Sequence, residues 1–422
     1  IRDRYIRATS PLASIVGFSV FAKHPLNIAI AYFAPLSIQF NVWFWYMVYL
    51  ILVQVAWYMG YYTGLENIDG CGRGWCGGVS PQLEPPFSFT ALSYVGGCMA
   101  LTLIYIAVNW RYLANTIKAA LGLMPSDRVR ELEKDEPLSY RTAYILVIAF
   151  LVLSILVLMV ANVSFVAALL MPLTVFIVWI ANARVWGLSG YTMQFLPGNF
   201  LYRLILWPKA PEPVTSEYVT TISMAFYMTD VPKAFGGATL SSFAGYRMAS
   251  LTGISNRDVF KTLVLALTIG PLFVMLGFLW INYVYGFNKL CFVAIYWNSV
   301  DGWTEPSFYN SHPASGNWSL NMAVGFIITT ILYVLHSKFL WFPFEPIGFI
   351  IGTTMLSTIW GLWFPFLIAW ILKALTLRIG GSRAYEEYGM PLMAGFIAGY
   401  MICLLYTSPS PRDLSTSRMP SS

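Results

Sequence analysis

Charged side chains are scarce. Asp, Glu, Lys and Arg together make up 10% of the 422 residues, where soluble domains carry about 25%. That shortfall excludes an ordinary soluble fold and puts the chain in the membrane class. Histidine is rarer still, at three residues, and there are five cysteines. No cluster of them has the spacing of a zinc site, so neither metal nor cofactor is expected. The signatures of common soluble enzymes are missing: no Walker-type phosphate loop, no HExxH, and no GxSxG at a strand–helix turn. The stretch RIGGS, Arg378–Ser382, is too short for a phosphate loop and reads as a helix end closed by glycine. The net charge of +6 forms no nucleic-acid patch, because the basic residues lie in loops between apolar runs, where they set orientation in a bilayer. Ile1–Ser10 is basic, but no short apolar core with a small-residue cleavage site follows, so no signal peptide is recognisable.

What is present is apolar: 58% hydrophobic and 17% aromatic residues. Asn41–Tyr62, Ala91–Tyr112, Thr142–Ala161, Val163–Ala183, Thr262–Phe287 and Leu320–Leu335 each read as a membrane span. Pro11–Phe40 is apolar but interrupted at Lys23, His24, Pro25 and Pro35, giving one kinked span or two half-helices. The longest run, Phe339–Leu377, contains only two charges, Glu345 and Lys373. It has the length for two short or tilted crossings. Pro343, Pro346 and Pro365, with Gly348, Gly352 and Gly361, interrupt it. Broken backbone at membrane depth is tolerated only inside protein or beside a water-filled cavity. The fold class expected is therefore all-α: a polytopic transmembrane bundle with broken and re-entrant helices, of roughly nine clear spans.

The sides follow from Lys and Arg. Loops 63–90 and 288–319 are expected outside, and the basic loops 113–141 and 184–261 in the cytoplasm, with the chain in the cell's inner membrane. Residues 1–403 read as one integral domain, a fragment truncated at both ends. Residues 404–422 switch abruptly to Ser, Pro, Thr and Arg and read as a non-native, disordered tail. Cys71 and Cys76, in CGRGWC, are candidates for a small disulfide-closed loop, with two free thiols as the alternative.

Few residues have chemistry to offer. Glu345, between Pro343 and Pro346, is a coupling candidate if it lies inside the bundle. It is otherwise a solvated turn residue beside Lys338. His336, at a span end, is within reach of Glu345 across a short loop. His24 is a proton relay or an interfacial residue. Asp230 binds a cation or caps a helix. Asn41, with Gln39 and Gln54, offers hydrogen bonds to a solute or to neighbouring helices. Lys373 is expected to snorkel to the inner surface.

The stretches FPFEPIGFIIG, LWFPFLIAWILKALTLRIGGSRAYEE and PLMAGFIAGYMI, with the N-terminal HPLNIAIAYFAPLSIQFNVWFWY, resemble a family of uncharacterised prokaryotic multi-span membrane proteins. That family is distantly similar to the oligopeptide transporter superfamily. The resemblance implies a secondary active transporter of a small solute, a small peptide or metal chelate, coupled to protons or a cation. The partners expected are the lipid bilayer and that solute, with a homo-oligomer left open. The alternative is a membrane-embedded enzyme or subunit acting on a lipid-linked substrate, with its site in the basic, small-residue segment Asp230–Lys261.

Overall fold

The computed structural model describes residues 5–74, 79–191, 205–207, 211, 213, 215–221, 235–286 and 318–407. Among these the chain is helical, with no strand. The helices are α1 (Pro25–Phe33), α2 (Leu36–Tyr58), α3 (Gly97–Val108, entered through a π-helical turn at Thr90–Gly96), α4 (Trp110–Ala120), α5 (Ser126–Leu132), α6 (Tyr140–Val160) and α7 (Phe165–Ser189). They continue with α8 (Phe235–Thr252), α9 (Asn256–Tyr285), α10 (Trp318–Lys338), α11 (Pro346–Thr353), α12 (Trp363–Ala384) and α13 (Met390–Thr407). Seven helical stretches among the described residues are long and apolar enough to cross a bilayer. The chain is thus an α-helical membrane protein.

Local chemistry sets the boundaries. Ser139, Ser164 and Ser255 cap α6, α7 and α9, each side chain accepting a first-turn N–H. Gly190, at φ +74°, ends α7. Asn162, at φ +68°, makes the tight turn between α6 and α7. Outer helices expose apolar side chains that water would not tolerate in such numbers: Val160 is 89% exposed and Phe273 70%. Lipid is the solvent that fits them.

The interior is built around α2. Tyr46 stacks flat on Trp363 at 5.0 Å, and Tyr49 meets Phe89 edge-on at 4.8 Å. Against α2 lie two helices too short to cross. α1 has nine residues and α11 eight, spanning about 14 and 12 Å against roughly 30 Å of hydrocarbon. The long apolar run 339–377 is therefore not two crossings. It is the half-helix α11, a turn at Met355–Thr358, irregular chain and the start of α12.

Loop 63–90, expected as a polar loop on the outer side, folds partly into the bundle. Gln82 donates to the Thr353 carbonyl at the end of α11 (2.9 Å). Arg73 is 0% exposed, and five backbone carbonyls share its guanidinium: Phe18, Glu66, Ile68, Ala13 and Ile15, at 2.7–3.3 Å. This arginine cinches the N-terminal segment to the loop.

One topological expectation is corrected. The segment 184–261 does not lie at one end of the bundle. Asn162, at the tip of the α6–α7 hairpin, donates to Ser216 Oγ at 3.3 Å, and Leu206 and Trp207 pack beside Leu158 and Val163. Asn256 instead donates to the Asp135 carbonyl at 2.7 Å, at the opposite end of α6. The segment reaches both ends. Its small-residue stretches are too short and polar to register as spans, so in the sequence its Lys and Arg look like those of one loop. α13 also runs to Thr407, past the boundary set at 404. The loop 287–317 and residues 408–422 lie outside the described residues.

Candidate functional site

The first two turns of α2 join the two half-helices. Gln39 and Asn41 are two residues apart, so they project about 200° apart around the helix. Each serves a different half-helix end.

On one face is the carbonyl end of α1. Pro35 follows Ala34 and cannot continue the ladder, so the Tyr32 and Ala34 carbonyls have no helical partner, and the Ala31 carbonyl has the Ala34 N–H at 3.1 Å. Gln39 Nε2 donates to the carbonyls of Ala31 (2.8 Å), Tyr32 (3.2 Å) and Ala34 (3.1 Å). Lys373 Nζ donates to those of Ala34 (2.8 Å) and Tyr32 (3.3 Å) and to the Tyr385 hydroxyl (3.0 Å). It also lies 4.5 Å from the centre of the Tyr385 ring. Lys373 is only 7% exposed, so the expected snorkelling does not occur. The carbonyl end of a helix attracts a cation, and the unpaired carbonyls of α1 hold the ammonium inside.

On the other face is the N–H end of α11. Glu345 is its cap: the carboxylate accepts from the N–H groups of Ile347 (3.0 Å) and Gly348 (3.2 Å). Pro346 at the first helical position costs nothing there, since that N–H would be unpaired anyway. Asn41 Oδ1 accepts from the Glu345 N–H (3.0 Å), and its Nδ2 donates to the carbonyls of Pro343 (2.7 Å) and Ser37 (2.8 Å). Gly348 packs directly on Asn41, where a Cβ would collide, and at Gly352 a Cβ would lie 2.6 Å from the Val42 carbonyl. Only glycine lets α11 come this close to α2. Glu345 is 9% exposed and lies outside the seven spans. Burial raises its carboxyl to about 7, while the Gly348 and Ile347 N–H groups and the Arg184 guanidinium pull the other way.

Of the residues expected to act, Glu345 and Asn41 come together. His24 stands apart, capping the start of α1: Nδ1 accepts from the Leu26 N–H (3.2 Å), and Nε2 is 2.9 Å from the Tyr400 hydroxyl. His336 is exposed on the last turn of α10 and is not brought to Glu345. Asp230 and Cys76 lie outside the described residues, as does any Cys71–Cys76 bond. Sequence reasoning missed the partnership of Lys373 and Gln39. The signal was there: a proline break leaves carbonyls that need donors, and Lys373 is the one cation in the following apolar run.

A cleft opens nearby between α1, α7, α8 and α13, bordered by Phe33 and Ala34 at the end of α1 and by Arg247 of α8. Ser189 also borders it, but its hydroxyl is engaged with the carbonyls of Val185 (2.7 Å) and Tyr191 (3.3 Å). Among the described residues no group of His, Cys, Asp and Glu is placed to hold a metal.

No curated protein matches the chain, and no solved structure matches it. Residues 3–408 match the model of a family of unknown function, DUF6785, and the chain belongs to that family.

Proposed function

We propose that the protein is a secondary active transporter of a small solute. One observation carries this reading: two half-helices end on opposite faces of the same two turns of α2, and each end is held by a charge of the protein's own, Lys373 for α1 and Glu345 for α11. Half-helix ends inside a bundle offer a carrier its ion and solute contacts, and rocking of one bundle against the other gives access to each side. A cation that competes with Lys373 would loosen α1 from α2, and gain or loss of a proton at Glu345 would change how α11 is held. In this reading the end bearing Lys118, Arg128, Arg130, Lys134 and Arg141 faces the cytoplasm of an inner membrane. A small peptide or metal chelate is the solute class that the oligopeptide-transporter resemblance suggests.

The test is proton influx into proteoliposomes holding a pH-sensitive dye, challenged with pools of short peptides and of metal chelates. Wild type is expected to acidify the lumen with at least one pool, and Lys373→Met and Glu345→Gln to lower the rate about a hundredfold or more, the usual size for losing a proton-transfer group. Silence with every pool, or full activity in both variants, would overturn the reading.

A second reading, an enzyme or subunit handling a lipid-linked substrate, draws on the lateral cleft beside Arg247. It is the weaker one, because Arg247 and the already engaged Ser189 supply no nucleophile–base pair.

A further inference from the structure

The cleft has a volume of about 640 Å³, within the roughly 300–1,000 Å³ of small-molecule sites. Phe33, Trp186, Leu188, Phe243, Met248 and Ile397 make most of its wall apolar, and among the described residues Arg247 is the one charged residue lining it. Arg247 is exposed and makes no hydrogen bond or ion pair among the described residues. It lies five residues from the end of α8 at Thr252, about 8 Å along the axis. That end leads directly to Asn256, which is bonded to Asp135 beside the basic loop. Arg247 therefore lies near that end of the bundle, and Phe243 lies one turn farther from it on the same face. The cleft makes two demands: an anion at its mouth and a hydrocarbon along its length. A water-soluble anion meets only the first, and a neutral lipid only the second.

We propose that the cleft binds one anionic phospholipid from the surrounding bilayer, its phosphate on the Arg247 guanidinium and an acyl chain along Phe243, Trp186 and Ile397. A guanidinium is the natural partner, since its fork matches two phosphate oxygens.

The experiment is native mass spectrometry of the full chain released from nanodiscs of phosphatidylcholine doped with phosphatidylglycerol. Wild type is expected to retain one phosphatidylglycerol, about fivefold in preference to phosphatidylcholine, the effect of one basic residue at an anionic surface. Arg247→Gln should abolish that preference and Arg247→Lys should keep most of it. Gly187 lines the cleft and has open space where a side chain would start, so Gly187→Phe should lower occupancy by both lipids. Lys261→Gln, at the same end but outside the cleft, should change nothing. The proposal is overturned if Arg247→Gln keeps the preference, if Gly187→Phe leaves occupancy intact, or if Lys261→Gln acts like Arg247→Gln.

Discussion

Arg73 spends its whole hydrogen-bonding capacity on backbone. Removing it takes the guanidinium donors from five carbonyls, those of Phe18 and Ala13 in buried bonds, and cuts the tie between residues 13–18 and 66–73. Arg73→Ala is expected to cost about 3 kcal/mol or more in detergent melting experiments. Arg73→Lys should recover only part of that, because an ammonium has three donors for five acceptors. Glu345 makes a prediction with a sign. Its carboxyl sits near 7 when folded against an ordinary 4.5, so between those values the folded chain holds a proton that the unfolded chain has released. Stability should fall as pH rises from about 4.5 to about 7, and Glu345→Gln should remove that slope from the melting curve. Glu345→Ala, which also loses the cap, should cost about 1 kcal/mol at any pH.

Among elements, the pairing of α10 with the π-helical turn at Thr90–Gly96 is the least forgiving. A Cβ at Gly325 would collide with the Leu92 carbonyl, while at Gly277 on α9 it would meet nothing within 4 Å. Gly325→Ala is expected to cost about 3 kcal/mol through overpacking. Gly277→Ala should be neutral or stabilising by up to about 1 kcal/mol, as a helix propensity gain. Paired thermal melts would check both, and equal effects would refute this packing. Individual elements were well legible in the sequence. The apolar runs behind α6, α7, α9 and α10 declared themselves, since lipid-facing helices need only length and hydrophobicity. The breaks at Pro35 and at Pro343–Pro346 were legible too. What a break does was not: whether Glu345 faces water or caps α11, and whether Lys373 snorkels or turns inward, depends on which carbonyls and N–H groups lie beside it in space. The buried arrangement of Arg73 left no periodic trace, because its five acceptors are backbone groups that any residue carries.

At the scale of the molecule, charge counting made one loop of 184–261 although the segment reaches both ends of the bundle, because polar, glycine-containing α8 hides its helix from a hydropathy window. The consequence is testable by impermeant thiol labelling of single cysteines in a cysteine-free background. Positions 162 and 216 should label from one face of the membrane, and 135 and 256 from the other. If 216 and 256 label from the same face, the arrangement is wrong. One feature of the assembled bundle bears on how it is made. Ser19 donates to the Thr358 carbonyl, Trp363 Nε1 donates to the Val20 carbonyl at 3.0 Å, and the Ala22 N–H donates to the Gly361 carbonyl at 3.4 Å. Ser19, Val20 and Ala22 thus meet these partners only after more than three hundred further residues have been translated, well after Arg73 can tie residues 13–18 to its loop. Until then this end of the chain is held by Arg73 and Gln39, without its C-terminal contacts. Nascent chains stopped short of about residue 363 should be targets for membrane proteases, even though most of their spans are already in place.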